Sequence, residues 1–447
     1  MTIAAAPPNL RLTRPGDPDW DAARRAWNLA VDQRPAAVAF PQDEAGVAAV
    51  VRYAAAEGYR VAPQRTGHNA SPLGSLEDTI ILRTDALQGV EIDAAGRRAR
   101  VRAAAKWEDV VPAASELGLA ALHGSTGDVS VVGYTLGGGL GWYARKHGLA
   151  ANKVLAIELV TADGELRRVD ADDDAALFWA LRGGAGNFGV VTALEFELIE
   201  QPLDYAGVLF FPLERSAEVL HAWREWLPAT PDEVTSVGRI LQFPPLPAVP
   251  EPLRGQSFAL VEAVFLGGED EGRELLEPLR ALGPAIDTFA LVPPAGIAEL
   301  HMDPKEPVPG TSHHALVGGL DAAGLDAFLE VTGPGSASPL LSVELRQLGG
   351  ALAQSDPVHG AIDTLDADFA YFGVGIAAGP EIAAANDAHL AKVAEALAPY
   401  DAGRYANFTE SRAGVDSFFG AETASRLRAV KAQVDPDNLF RANYAIE

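Results

Sequence analysis

The chain has 447 residues, 48% hydrophobic and 21% charged, which places it among globular proteins with room for a large core and two domains. Its 35 basic and 61 acidic residues give a net charge of −26, which excludes a phosphate-tracking nucleic-acid surface or an anionic membrane as partner. There is no cysteine, so disulfides, thiolate metal sites, iron–sulfur clusters and thiol nucleophiles are excluded too.

Residues 1–30 read as a lead-in with one amphipathic helix over 20–31 and no apolar stretch of a secretory leader. No apolar run is long enough to span a bilayer, so cytoplasmic is the default expectation. A short strand over 37–40 precedes a helix that Asp43 caps and Gly58 closes. Strands follow at 60–63 and 79–82, with a turn-rich loop over 64–74 between them. Residues 89–93 and 97–103 alternate in polarity and read as a hairpin. A helix over 107–117 closes at Gly118, and a glycine-rich stretch fills 124–141. A strand over 154–161 turns through Ala162-Asp163-Gly164 into a second over 165–169. A helix over 174–181, more glycines and a strand over 190–198 complete the first part.

Composition changes after Gln201-Pro202. Residues 203–400 alternate strands with alanine-rich helices and carry proline-rich loops over 243–252 and 292–309. The expected division is therefore 1–202, 203–400 and a closing segment 401–447, which contains a helix over 421–434.

Two glycine patterns invite a dinucleotide reading. Gly184-Ala185-Gly186-Asn187-Phe188-Gly189 fits G-x-G-x-x-G, but here the helix precedes and the strand follows, the reverse of a Rossmann turn. Gly139-Leu140-Gly141-Trp142-Tyr143-Ala144 fits loosely and lacks a clear preceding strand. His301, His313 and His314 lie near Asp303 and Glu306 without the i, i+4 spacing of helical ligands, so no metal site is expected.

The order of several loops is more specific. Gln64-Arg65-Thr66-Gly67-His68-Asn69 puts a histidine on a turn just after a strand. Then come Gly124-Ser125-Thr126-Gly127-Asp128-Val129 and Gly133-Tyr134-Thr135-Leu136-Gly137-Gly138-Gly139-Leu140-Gly141. Gly148 through Asn152 and Val154 follow, and then Gly189-Val190-Val191. Bare glycine backbone can approach a ligand and aim N–H groups at phosphate oxygens, which suits a very acidic protein.

In this order the motifs resemble the vanillyl-alcohol-oxidase type of FAD-binding domain, and within it the berberine-bridge-enzyme-like oxidases, including the bacterial hydroxynicotine oxidases. The resemblance is strong over 35–200. It returns at 400–447 in Tyr405-Ala406-Asn407-Phe408 and from Asp435-Pro436-Asp437-Asn438 to Asn443. Between these it rests on length and on Glu344-Leu345-Arg346-Gln347-Leu348-Gly349-Gly350.

The resemblance implies an α+β fold: a two-subdomain FAD-binding domain and a substrate domain whose antiparallel sheet, flanked by helices, roofs the flavin. It implies FAD as cofactor, held in the loops above and by Asn443. It also implies a small-molecule substrate oxidised at an alcohol or amine C–H by hydride transfer to flavin N5. In the family, the histidine at the position of His68 is bonded to the flavin. A second attachment through cysteine falls near Thr126 and is excluded here, so the link is expected to be monocovalent. Where the family often has arginine four residues before that histidine, this chain has Gln64.

The family's usual base, a tyrosine after the motif asparagine, is replaced by Phe408. Tyr405, Asn407 and Glu344 become the catalytic candidates, with Tyr134 and Tyr371 as further possible bases. Val129 falls where oxygen-reactive members carry valine, which favours oxygen as acceptor. The rival readings are a dehydrogenase with another acceptor, and a flavin-binding cyclase or non-catalytic binder. The sequence assigns no oligomeric state.

Overall fold

The computed structural model describes residues 10–247 and 249–447; the reading of residues 1–9 as part of a lead-in lies outside them. The architecture is α+β.

A four-stranded sheet has the order Leu12–Thr13, Ala37–Ala39, Thr79–Arg83, Arg60–Gln64, and its last three strands are parallel. The helix Glu44–Glu57 crosses between them. Asp43 caps it by accepting the Gly46 N–H, and Gly58 ends it in the left-handed region at φ 74°. Being short and apolar, these parallel strands are buried between the helix and the rest of the domain.

A five-stranded antiparallel sheet has the order Val90–Asp93, Arg98–Arg102, Val190–Glu197, Val154–Val160, Leu166–Asp170. Its inner face packs on the helices Trp107–Ser115, Ala175–Leu181 and Ala421–Val434.

The third sheet has nine antiparallel strands, all between Asp204 and Gly403. Val343, Leu345, Phe369 and Tyr371 face one side and form a core with the helices Ser216–Trp226, Glu269–Arg280, Ala322–Thr332 and Pro380–Leu397. By strand alternation, Glu344, Arg346, Ala370 and Phe372 face the other side, toward the first two sheets. Tyr371 therefore stands in the helix-covered core, which removes it as a base.

The chain's end comes back to its beginning. Leu439 and Arg441 bond to Val61 on both of its backbone groups, at 2.8 and 2.9 Å. Asp435, fully buried, fixes this return by accepting from Lys431 Nζ at 2.6 Å and from the N–H groups of Leu439 and Phe440 at 2.7 and 2.9 Å.

Two boundaries depart from the sequence expectation. The helix expected over 20–31 stops at Ala23. Beyond it the backbone bonds elsewhere: Trp27 N–H reaches Thr66 O at 2.9 Å and Leu29 N–H reaches Val308 O at 3.1 Å. Tertiary partners outcompete the i→i−4 ladder here, and they place Trp27 beside His68. The helix expected to run to Leu117 ends at Ser115. Among the described residues, no helix is long and apolar enough to cross a membrane.

Candidate active site

One cavity of about 1560 Å³, its open mouth included, runs between the first two sheets and the floor of the third. The structure brings to its wall all of Gln64 through Asn69, together with Gly124, Ser125, Thr126, Val129, Gly133, Tyr134, Leu136, Gly137, Gly189, Val191, Tyr405, Asn407 and Asn443.

Seven of the other expected binding residues lie behind the wall and build it. A Cβ on Gly139 would lie 2.6 Å from Ala150 Cβ, and one on Gly141 would lie 1.9 Å from His123 O. Gly138, at φ +126°, packs under Tyr405. These glycines therefore serve protein–protein approach, which sequence alone does not distinguish from approach to a phosphate. Gly148 closes the short helix Ala144–His147, and Asn152 bonds to Ile362 O and Gly360 N. Val154 opens a strand, and Val190 is core.

Glu344 is also off the wall. It is buried between Arg346, whose Nη2 donates to it at 3.0 Å, and His301 Nε2 at 2.7 Å. His301 meets Glu262 through its other nitrogen, so the ring holds both protons. Burial and Arg239 oppose that charge, but Glu262 and Glu344 outweigh them and raise the imidazole to about 9. Burial would raise the Glu344 carboxyl, yet Arg346 and His301 pull it far below the carboxylate range. An ionised carboxylate locked between two cations is a poor base, which removes Glu344 from that role.

Tyr405 reaches the wall, but its hydroxyl is engaged. It accepts N–H bonds from Gly139 at 2.7 Å and Leu140 at 3.2 Å, and one from Asn407 Nδ2 at 3.1 Å. Burial pushes its ionisation above the usual range, although those donors act the other way. The Tyr134 hydroxyl is buried without a partner, and burial raises it as well.

Sequence reasoning missed several wall residues: Arg441, Ala442, Tyr444, and Ala185-Gly186 of the reversed glycine motif. Arg346 was legible as sharing a strand face with Glu344, either in a structural ion pair or beside the substrate. Its guanidinium, 4% exposed, leaves Nε without a partner and stands 5.6 Å from the Trp142 ring and 5.7 Å from Phe408. The terminal residues reach the wall only through the return beside Val61.

The wall carries Arg65, Arg346 and Arg441 and no carboxylate, in a chain of net charge −26. Asn69 Oδ1 and the Tyr134 hydroxyl are buried there without partners. Arg65, Arg346 and Arg441 are each paired with a carboxylate off the wall, Asp85, Glu344 and Asp78, so the cavity itself carries N–H donors and unused polar atoms without an acidic group, which fits an anionic cofactor with a heteroaromatic end.

A fold of this kind around such a cavity defines a flavin-binding oxidoreductase. Residues 35–170 match the family described as FAD binding domain, and residues 404–447 match Berberine and berberine like. The chain is 28% identical to (R)-6-hydroxynicotine oxidase of Paenarthrobacter nicotinovorans over 459 residues, covering 97% of this chain and 95% of that one. It superposes on the crystal structure of 6-hydroxy-D-nicotine oxidase from Arthrobacter nicotinovorans with a TM-score of 0.82, 27% identity and full coverage of both chains. The glucooligosaccharide oxidase of Acremonium strictum, whose FAD is 6-S-cysteinyl and 8α-N1-histidyl, shares the fold at TM-score 0.81, 22% identity and coverage of 98% and 97%. The chain is an oxidoreductase with an FAD-binding domain and a berberine-like closing segment, and it is similar to FAD-linked oxidases of the berberine-bridge-enzyme-like type.

Proposed function

We propose that the protein oxidises a C–H bond beside nitrogen in a small amine, using FAD bonded to His68 and dioxygen as the final acceptor. When bound, FAD supplies the two-electron chemistry, taking hydride at N5 and passing the electrons on. The single observation carrying the amine reading is the absence of any carboxylate among the described residues lining the cavity, with the hydroxyls of Tyr134, Tyr405 and Tyr444 held protonated by burial. An alcohol must lose its O–H proton to a base as hydride leaves, whereas a neutral amine keeps its lone pair for the developing cation. Phe408 gives the wall an apolar surface, backed by the Phe372 ring 5.4 Å away, that favours the neutral amine over the ammonium.

His68 supports a monocovalent link. It stands on the wall at the turn after Arg60–Gln64, where Gly67 takes φ +81°. With no cysteine in the chain, a thioether like that of the Acremonium enzyme has no counterpart here.

Acid precipitation tests the link: the flavin should stay on a peptide containing His68. A peroxide-detecting screen of amines against matched alcohols tests the reaction. Turnover of alcohols alone would overturn the amine reading, and reduced protein stable in air would overturn the oxidase reading.

A further inference from the structure

We propose that Asp128 is the positioning residue that prepares His68 for attachment, holding the proton on Nε2 so that Nδ1 faces the cavity as the nucleophile. This rests on the covalent reading above.

The two ring nitrogens of His68 differ in access and in partner. Nε2 is shielded from solvent and lies 3.3 Å from Asp128 Oδ2, an ion-pair approach rather than an aligned hydrogen bond. Nδ1 lies 2.9 Å from the Thr66 hydroxyl, which is itself on the cavity wall. A hydroxyl can rotate away from a ring nitrogen at little cost, but a buried carboxylate cannot leave.

Asp128 is held from three sides. Trp27 Nε1 donates to Oδ2 at 2.6 Å, Thr126 donates to Oδ1 at 2.9 Å, and His68 closes the third. Trp27 also stacks on the His68 ring, with centres 4.2 Å apart and planes at 20°. One tryptophan therefore fixes both the carboxylate and the plane of the imidazole. Burial works against ionisation of Asp128, but His68, Thr126 and Trp27 prevail and keep it charged. A buried carboxylate whose basic partner is one imidazole selects the tautomer with hydrogen on the facing nitrogen. The other nitrogen then carries the free lone pair.

The attachment balances as follows. One C–H of the flavin 8α-methyl group and the imidazole N–H are lost, and a bond forms between Nδ1 and that carbon. The two electrons and two protons released pass to dioxygen, giving hydrogen peroxide. As Nδ1 becomes bonded, positive charge builds on the ring, and the Asp128 carboxylate faces it and takes up the Nε2 proton only in passing, as one of the two that end on the peroxide.

The test compares acid-precipitable flavin with total bound flavin in purified wild type, Asp128→Asn and Trp27→Phe. Asp128→Asn should keep bound FAD while its covalent fraction falls at least tenfold. Trp27→Phe retains a stacked ring without its N–H and should fall in between. Asp128→Asn protein as covalent as wild type overturns the inference. So does loss of all flavin from Asp128→Asn with Trp27→Phe fully covalent, because the carboxylate would then serve folding or binding. If wild type itself releases its flavin into acid, the covalent reading fails and takes this inference with it; a covalent wild type with a covalent Asp128→Asn sinks the inference alone.

Discussion

The guanidinium of Arg346 stands 5.7 Å from the ring of Phe408, and both line the same end of the cavity. A cation beside an aromatic ring that cannot ionise stabilises no base. The same cation beside a phenol would favour the phenolate.

Phe408→Tyr should therefore gain a reaction rather than lose one. With a primary alcohol matched to the best amine, anaerobic flavin reduction should accelerate by roughly 10²–10⁴-fold and acquire a limb rising with pH. With the amine, the rate should keep following deprotonation of the substrate. Stopped-flow reduction across pH measures both. Superimposable profiles for variant and wild type, on both substrates, would show that position 408 does not face the reacting carbon.

Tyr405→Phe should separate structure from chemistry. The lost hydroxyl leaves the N–H groups of Gly139 and Leu140 unpaired in a buried place, which costs about 1–3 kcal/mol. Thermal unfolding should shift down, while the rate of amine-driven reduction per bound flavin should stay within a few-fold of wild type. A collapse of that rate with flavin still bound would make Tyr405 the base.

The reach of the sequence can be judged from particular residues. Asp43 and Gly58 marked the ends of their helix because capping is local chemistry: the Asp43 side chain satisfies an N–H three residues on, and Gly58 takes the left-handed turn that closes the helix. The wall from Gln64 to Asn69 was legible for a similar reason: one short turn carries all six residues. Trp27 was not. Its helical periodicity is real, but the backbone is drawn off by Thr66 and Val308, partners 39 and 279 residues away in sequence. Glu344 illustrates another limit. Alternation placed it on the correct face of its strand, yet that face continues past the cavity into the pocket of His301, and only the fold shows which residue stops at the wall.

Buried histidine gives a pH signature. His314 Nε2 accepts the Tyr405 N–H at 3.0 Å and Nδ1 donates to Tyr371 O at 2.6 Å, so the native ring is neutral. Burial lowers it from its ordinary value of 6.5 to about 3. A histidine depressed on folding contributes its stability above the unfolded value and loses it as pH falls, because only the unfolded chain takes up the proton. The loss from this residue spans pH 6.5 down to about 3. Asp204 works in the opposite sense: burial raises it to about 7, so the native state holds a proton that the unfolded state has lost. A whole-protein curve would mix the two. The advantage of wild type over His314→Asn in unfolding free energy should instead shrink by about 1.4 kcal/mol per pH unit below 6.5. A constant difference would mean that His314 is protonated in the native state.

The last prediction concerns the return of the chain. The Lys431–Asp435 pair is nearly inaccessible, with side-chain exposures of 6% and 0%. Lys431 also donates to Asn187 O at 2.7 Å, which ties the closing helix to the reversed glycine loop. Asp435→Asn leaves an ammonium buried without its counter-charge and weakens the acceptor of two backbone N–H groups, a change worth about 3–5 kcal/mol. Lys431→Met leaves Asp435 still bonded to Leu439 and Phe440 and fills the space with an apolar chain, so it should cost clearly less. Denaturant unfolding gives the two losses. Because Arg441 through Tyr444 form part of the cavity wall, Asp435→Asn should also loosen the flavin, seen as brighter flavin fluorescence below the unfolding midpoint. Equal losses in the two variants would mean that the charge pair matters and the backbone cap does not. An Asp435→Asn protein as stable as wild type would remove Asp435 as the anchor of the terminal segment.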